Sequence, residues 1–283
     1  MKKAILLFAF AALSLQNINA TKRIYTKTDS IRAEKIMKQA SSQPAGTNTI
    51  VYIGRQLLGV PCVAQTLEKG KTEKLVINTM QLDCTTFVEN VLAMYLCVQN
   101  KTTRFADFCS NIQKIRYVGG KVSYPSRLHY FSTWIEDNTK KGIVQEQQAP
   151  NPPFTAKQTI MANFLSTHAD RYPMLKGKQQ WIKQIADMEK SITGTRQKYI
   201  PTKAVTNSNV VRKTVHNGDI IAIVTTKAGL EISHIGIAVW HKDGLHMLNA
   251  SSLYHKVVED NNLLQTYLRN QKTALGIRIA RPL

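Results

Sequence analysis

The 283-residue chain carries 38 Lys and Arg against 18 Asp and Glu, a formal charge of +20, with 43% hydrophobic residues, enough for an ordinary core in one large domain or a two-lobed one. Four cysteines in a chain of this length exclude a disulfide scaffold. The positive residues, such as Lys69, Lys71, Lys74, Lys176, Lys178 and Lys183, are scattered. That describes a solvated surface suited to an anionic cell envelope, and with no recognition motif it argues against nucleic acid.

The first twenty residues predict export. Lys2 and Lys3 precede an uncharged apolar run from Ala4 to Leu15, and Ala20 offers a small residue for cleavage. This is a secretory signal pattern, too short to span a bilayer. Cleavage near Ala20 removes Lys2 and Lys3, so the mature charge falls from +20 to +18. No later stretch is long and apolar enough for a membrane span, so the expectation is a periplasmic or otherwise exported protein without an integral membrane segment.

Residues 30 to 60 read as helical, broken at Ser41-Ser42-Gln43-Pro44-Ala45-Gly46. Thr86 to Val98 is the clearest helix, with Phe87, Val88, Val91, Leu92, Tyr95 and Leu96 at helical spacing on one buried face. Tyr124 to Trp134 is dense in aromatics for a chain with only 7% of them, and a helix would set Tyr130 and Trp134 on one face. Such rings fit either a core stripe or a surface for the apolar faces of sugars, with Arg127 able to hold a carboxylate. Ala149-Pro150-Asn151-Pro152-Pro153 must be a loop, and residues 155 to 190 return to a mixed helical pattern. After Pro201, four strand-like runs follow at 219–224, 235–240, 245–250 and 274–280. A mainly helical part (21–200) followed by a mainly β part (201–283) predicts a single α+β domain.

Two of these elements bear chemistry. Asp83 and the threonines after Cys84 are helix-start residues, so Cys84 sits at a helix N-terminus, where orphan N–H groups favour thiolate over thiol. Alone, the same pattern fits a buried structural cysteine. In Ser233-His234-Ile235-Gly236-Ile237-Ala238-Val239-Trp240, the large apolar residues face one side and His234 faces the other with small Gly236 and Ala238, leaving room to approach the imidazole. By itself this equally describes an edge-strand histidine. A loop from His241 to Gly244 pairs Trp240 with Leu245 and places Asn249 diagonal to His234, about 7–8 Å between backbones. The Asn249 amide would then orient the ring, whereas His246 falls on the other face. Neither a C-x-x-C motif nor a histidine-rich cluster points to a metal, and no cofactor is expected. Cys97 and Cys109 could pair or stay buried as thiols.

Asp83-Cys84-Thr85-Thr86-Phe87-Val88, Ser233-His234-Ile235-Gly236-Ile237 and Met247-Leu248-Asn249-Ala250 resemble the nucleophile, histidine and third-position motifs of the NlpC-type cell-wall cysteine peptidases. Gly59-Val60-Pro61, Thr66-Leu67-Glu68, the stretch Leu82 to Glu89, Ser126 to Phe131 and Trp134 resemble the N-acetylmuramoyl-L-alanine amidase-like branch of that superfamily. The likeness runs from about Ile50 to the C-terminus. It implies a papain-like fold with a nucleophile helix on a small antiparallel sheet. It further implies a catalytic set of Cys84, His234 and Asn249 acting on peptidoglycan fragments, anhydro-muropeptides among them, most simply as a monomer. Arg127, His129, Tyr130 and Trp134 would border the saccharide, with Asp83 and Ser233 as further substrate contacts. Where the branch has tyrosine after Gly-x-Pro, this chain has Cys62, which alters one expected contact. The rival readings are stem-peptide cleavage after D-glutamate, acyl transfer to an amine, and a non-catalytic peptidoglycan-binding protein.

Overall fold

The computed structural model describes residues 23–68 and 70–283. The predicted signal segment, its cut near Ala20 and Lys69 lie outside the described residues. Nine helices are present among them: α1 (Lys27–Ser41), α2 (Thr49–Arg55), α3 (Cys84–Gln99), α4 (Phe105–Arg116), α5 (Phe131–Lys140), α6 (Phe164–Thr167), α7 (Gln179–Ile192), α8 (Asn209–Thr214) and α9 (Leu264–Asn270). Two short parallel strands, β1 (Arg23–Ile24) and β2 (Leu75–Val76), pair with each other. The main sheet takes β3 (Val144–Gln147), β4 (Ala156–Thr159), β5 (Arg196–Pro201), β6 (Ile220–Thr225), β7 (Ile232–Trp240), β8 (Leu245–Ser251), β9 (Lys256–Glu259) and β10 (Ala274–Pro282). Its order is β4-β5-β10-β6-β7-β8-β9, with β3 also on β10, and every pairing is antiparallel. The protein is therefore α+β. No described helix is long and apolar enough to cross a membrane.

The sheet is buried on both faces, and this sets the strand sequences. One core lies between α1–α5 and the face carrying Ile220, Ala222, Ile235, Ile237, Val239 and Leu248. A second covers Ile221, Ile223, Ala238, Leu245, Met247 and Ile277 with Val211 of α8 and Leu264 and Leu268 of α9. Every residue of β6 is buried, so Ile220 to Thr225 shows no polar alternation. The sequence reading had only one face of β7 in a core. Its small residues on the other face open no path to the imidazole, because that side of the strand is filled by the second core. A Cβ on Gly236 would lie 2.7 Å from Met247 Cγ, so the glycine makes room for methionine. Gly54 does the same for α2, since a Cβ there would meet Leu248 Cδ2 at 2.6 Å.

Strands β3 and β4 and the start of β5 fall in the part expected to be helical. β3 and the end of β5 pair with β10, and β4 pairs with Arg196–Tyr199 of β5, so each partner comes later in the chain, and polar runs such as Ala156–Thr159 carry little local signal. A third, smaller cluster holds α7 against the aromatic segment through Tyr124, Tyr130, Leu165 and Ile185.

Candidate active site

Helix α3 begins at Cys84 because Asp83 caps it. The carboxylate accepts from the Thr86 amide at 2.7 Å, and the Thr86 hydroxyl accepts from the Asp83 amide at 2.9 Å, a complete capping box. The apolar residues that follow anchor the helix in the first core. The cap thereby holds the Cys84 sulfur at the positive end of a sixteen-residue helix.

That end abuts the start of β7. Here β7 is bulged: Ile223 pairs with His234 but Val224 pairs with Ile232, so Ser233 is an extra, exposed residue. A bulge turns the following side chain and interrupts pairing, which frees the strand to aim His234 at the helix terminus. Trp240 pairs with Leu245, Ala238 with Met247 and Ile237 with Leu248, the register read from the longer hairpin loop. Asn249, fully buried, accepts the His234 Nε2 proton at 2.9 Å. Its own amide donates to the Met247 carbonyl at 3.3 Å, which fixes Oδ1 toward the ring. With Nε2 so occupied, Nδ1 is the nitrogen left to face the sulfur. His246 points elsewhere, its Nδ1 2.9 Å from the Asp260 carbonyl.

The electrostatics single out one thiol of four. Burial raises Cys62, and it pushes Cys97 and Cys109 up to about 11. Burial alone would raise Cys84 as well, but the His234 imidazole against it and the Ile235 backbone N–H outweigh burial and bring it below the ordinary thiol value. His234 moves in the complementary direction: burial would lower it, yet the Cys84 sulfur and the Asn249 hydrogen bond raise it. The thiolate–imidazolium form is favoured from both sides. All four cysteines are free thiols, so Cys97 and Cys109 are the buried alternative rather than a disulfide.

Alkylation measures this state. Iodoacetamide at neutral pH is expected to label Cys84 before the other three, with the rate declining as the pH falls through a value lower than that of an ordinary thiol and the thiolate is protonated. His234→Ala should reverse the shift, since burial then raises the thiol, and neutral-pH labelling should slow at least tenfold. Equal labelling rates in both proteins would contradict the pairing.

Cys84 and His234 open on a cleft with about 670 Å³ of empty space including its mouth. Thr85, Val88, Leu128, His129, Tyr130, Phe131, Trp134, Leu230, Ile232 and Ser233 line it. His129 is neutral: burial, and next the nearby Arg127 charge, hold it down at about 3. Its Nε2–H donates to the Tyr124 carbonyl at 2.9 Å, leaving Nδ1 as an acceptor. The indole N–H of Trp134 finds no acceptor among the described residues, an unmet donor in the cleft wall.

Three sequence expectations need correction. Arg127 does not line the cleft, because its guanidinium is buried against Glu68 at 2.6 Å and Glu73 at 2.5 Å, where it cannot also hold a substrate carboxylate. Asp83 is likewise absent from the lining, its Oδ1 taken by the cap. Tyr130 and Trp134 do not share a helix face, because Tyr130 is the N-cap of α5 in extended conformation. Tyr130 turns into the third cluster with its hydroxyl 2.6 Å from Glu189, while Trp134 packs in the first core. Sequence reasoning missed Glu89 and Glu231 in the cleft wall. Each is held by a buried arginine from a distant segment, Arg116 at 2.7 Å and Arg278 at 3.0 Å, and no local pattern marks such pairs.

The chain as a whole is similar to known proteins. A family described as AmiA-like, N-acetylmuramoyl-L-alanine amidase-like, matches residues 52–277. A crystal structure of an N-acetylmuramoyl-L-alanine amidase from Bacteroides uniformis is similar at 32% identity and a TM-score of 0.76, over 89% of this chain and 99% of that one. A Bacteroides fragilis protein, provisionally named a xylanase, is similar at 40% identity and a TM-score of 0.75, over 81% and 98% of the two chains. A Legionella pneumophila protein at 22% identity, with a TM-score of 0.65, shares the fold alone. No curated protein matches.

Proposed function

Because the chain belongs to the N-acetylmuramoyl-L-alanine amidase-like family, we propose that it is an exported cysteine amidase that cleaves the amide between muramic acid and L-alanine in peptidoglycan fragments, anhydro-muropeptides included. The observation that carries the reading is a lowered thiol, a raised imidazole and an orienting amide converging on one cleft. A helix-borne cysteine packed on an antiparallel sheet accords with the papain-like, NlpC-type architecture, and residues 21–283 are read as one catalytic domain.

In this mechanism the Cys84 thiolate attacks the lactyl carbonyl carbon. The first amides of α3, those of Cys84 and Thr85, lack intrahelical acceptors and can receive the oxyanion. His234 Nδ1 gives its proton to the departing alanine nitrogen, leaving a thioester on Cys84. Neutral Nδ1 then takes a proton from water, whose oxygen attacks the thioester. The acid leaves and the ion pair is restored, with Asn249 holding the ring throughout. His129 Nδ1 and Ser233 are polar groups of the cleft lining offered to the substrate.

A xylanase activity fits the residues less well. Glycoside hydrolysis needs two carboxylates working across the bond. Here Glu89 is held by Arg116, and Glu231 by Arg278 and by the Ser132 amide and hydroxyl. Mass spectrometry of a muropeptide digest decides. Amidase action releases an intact stem peptide with a free alanine amine, plus a sugar bearing its free lactyl acid. Cleavage inside the stem, or sugar release from xylan, would displace the proposal.

A further inference from the structure

We propose that the turn joining β7 and β8 binds one zinc-class divalent ion through His241, Asp243 and His246, at a site separate from the catalytic cleft. One ring nitrogen of each histidine and a carboxylate oxygen of Asp243 lie within 4.8 Å of one another. The two rings are 4.5 Å apart between centroids. Two imidazoles and a carboxylate are a donor set that suits zinc.

The hydrogen bonds behind the ligands support the assignment independently. His246 is nine-tenths buried, and its Nδ1–H donates to the Asp260 carbonyl at 2.9 Å. In the neutral ring this leaves a lone pair on Nε2, which faces Asp243 Oδ1 at 3.1 Å. That contact can be bridged either by a proton, as an imidazolium–carboxylate pair, or by a cation held between the two groups. His241 gives its Nε2–H to Glu259 at 2.6 Å, leaving Nδ1 as its lone pair. Glu259 is itself gripped by Arg55 at 2.7 and 2.8 Å. A carbonyl behind one histidine and a carboxylate behind the other are the outer partners that metal-bound imidazoles have.

The turn is already set for the ion. The His241 amide donates to Gly244 O at 2.8 Å, Asn207 holds the Asp243 carbonyl at 3.0 Å, and Arg212 holds the His241 carbonyl at 3.1 Å. Asp243 is exposed, so it can close on the metal by rotating its side chain, leaving a fourth position to water. The ion would lock the hairpin that brings the strand of His234 beside the strand of Asn249.

Calorimetric titration of ZnCl2 into tag-free, EDTA-stripped protein tests the site, in a Cys84→Ser background that removes the catalytic thiol as a competitor. One equivalent should bind with micromolar or tighter affinity. Asp243→Asn should weaken it at least tenfold, Glu259→Gln about 10–100-fold and His246→Gln more. At zinc a hundred times the parent Kd, Tm should rise by about 5–10 °C in the parent and by no more than about half as much in the Asp243→Asn variant, which stays folded because the side chain is exposed. No saturable binding, or binding that Asp243→Asn and His246→Gln leave unchanged, would overturn the proposal.

Discussion

Cys84→Ala is expected to lower kcat on muropeptides by on the order of 10⁴–10⁶-fold while leaving Tm within about 2 °C. The size follows from the sulfur's role, since no other thiol in the protein combines access to the cleft with a lowered pKa. The intact fold follows from position. Cys84 is only partly buried at the first turn, and the cap that starts the helix belongs to Asp83 and Thr86. The substitution also has an electrostatic signature. With the sulfur gone, His234 loses the partner that raises it, so burial pulls the imidazole downward, which NMR titration would record. Residual turnover within tenfold of the parent would remove Cys84 from the mechanism.

Glu231→Ala is expected to cost about 3–5 kcal/mol, seen as a fall in Tm of about 6–20 °C. Glu231 is buried at the entry to β7 and accepts from the Ser132 amide, the Ser132 hydroxyl and Arg278. Removing it leaves Arg278, itself fully buried, with Glu146 as its remaining carboxylate, and strips two donors at the start of α5 of their acceptor. The charge left behind dominates the loss, so adding Arg278→Met to Glu231→Ala should restore part of it. A loss below about 1 kcal/mol, or no recovery in the double variant, would show that the ion pair does not hold α5 to the sheet.

The sequence carried the local parts of this molecule well. The start of α3 was legible because Asp83 and Thr86 cap it chemically. The β7–β8 register was legible because turn residues and loop length fix it. Alternation in β7 gave one buried face correctly but said nothing of α8 and α9, which cover the other. Arg127 and Tyr130 were drawn toward substrate by the family resemblance, whereas Glu68, Glu73 and Glu189 hold their polar groups from 54 to 59 residues away. A charge partner at that distance leaves no trace in a local pattern. The His-x-Asp-x-x-His spacing was present at 241–246, but it reads as a turn until the fold supplies Asp260 and Glu259 behind it.

The double covering of the sheet bears on how the specificity of such a site can change. Shifting His234 or Asn249 would disturb packing on both sides of the slab that carries them, so both side chains are mechanically pinned. The rim from Leu128 to Trp134 and from Leu230 to Ser233 touches the cleft from segments outside that slab or at its bulged edge. Exchanging rim residues other than the ion-paired Glu231 should therefore retune which fragment is accepted while the geometry of Cys84, His234 and Asn249 stays fixed.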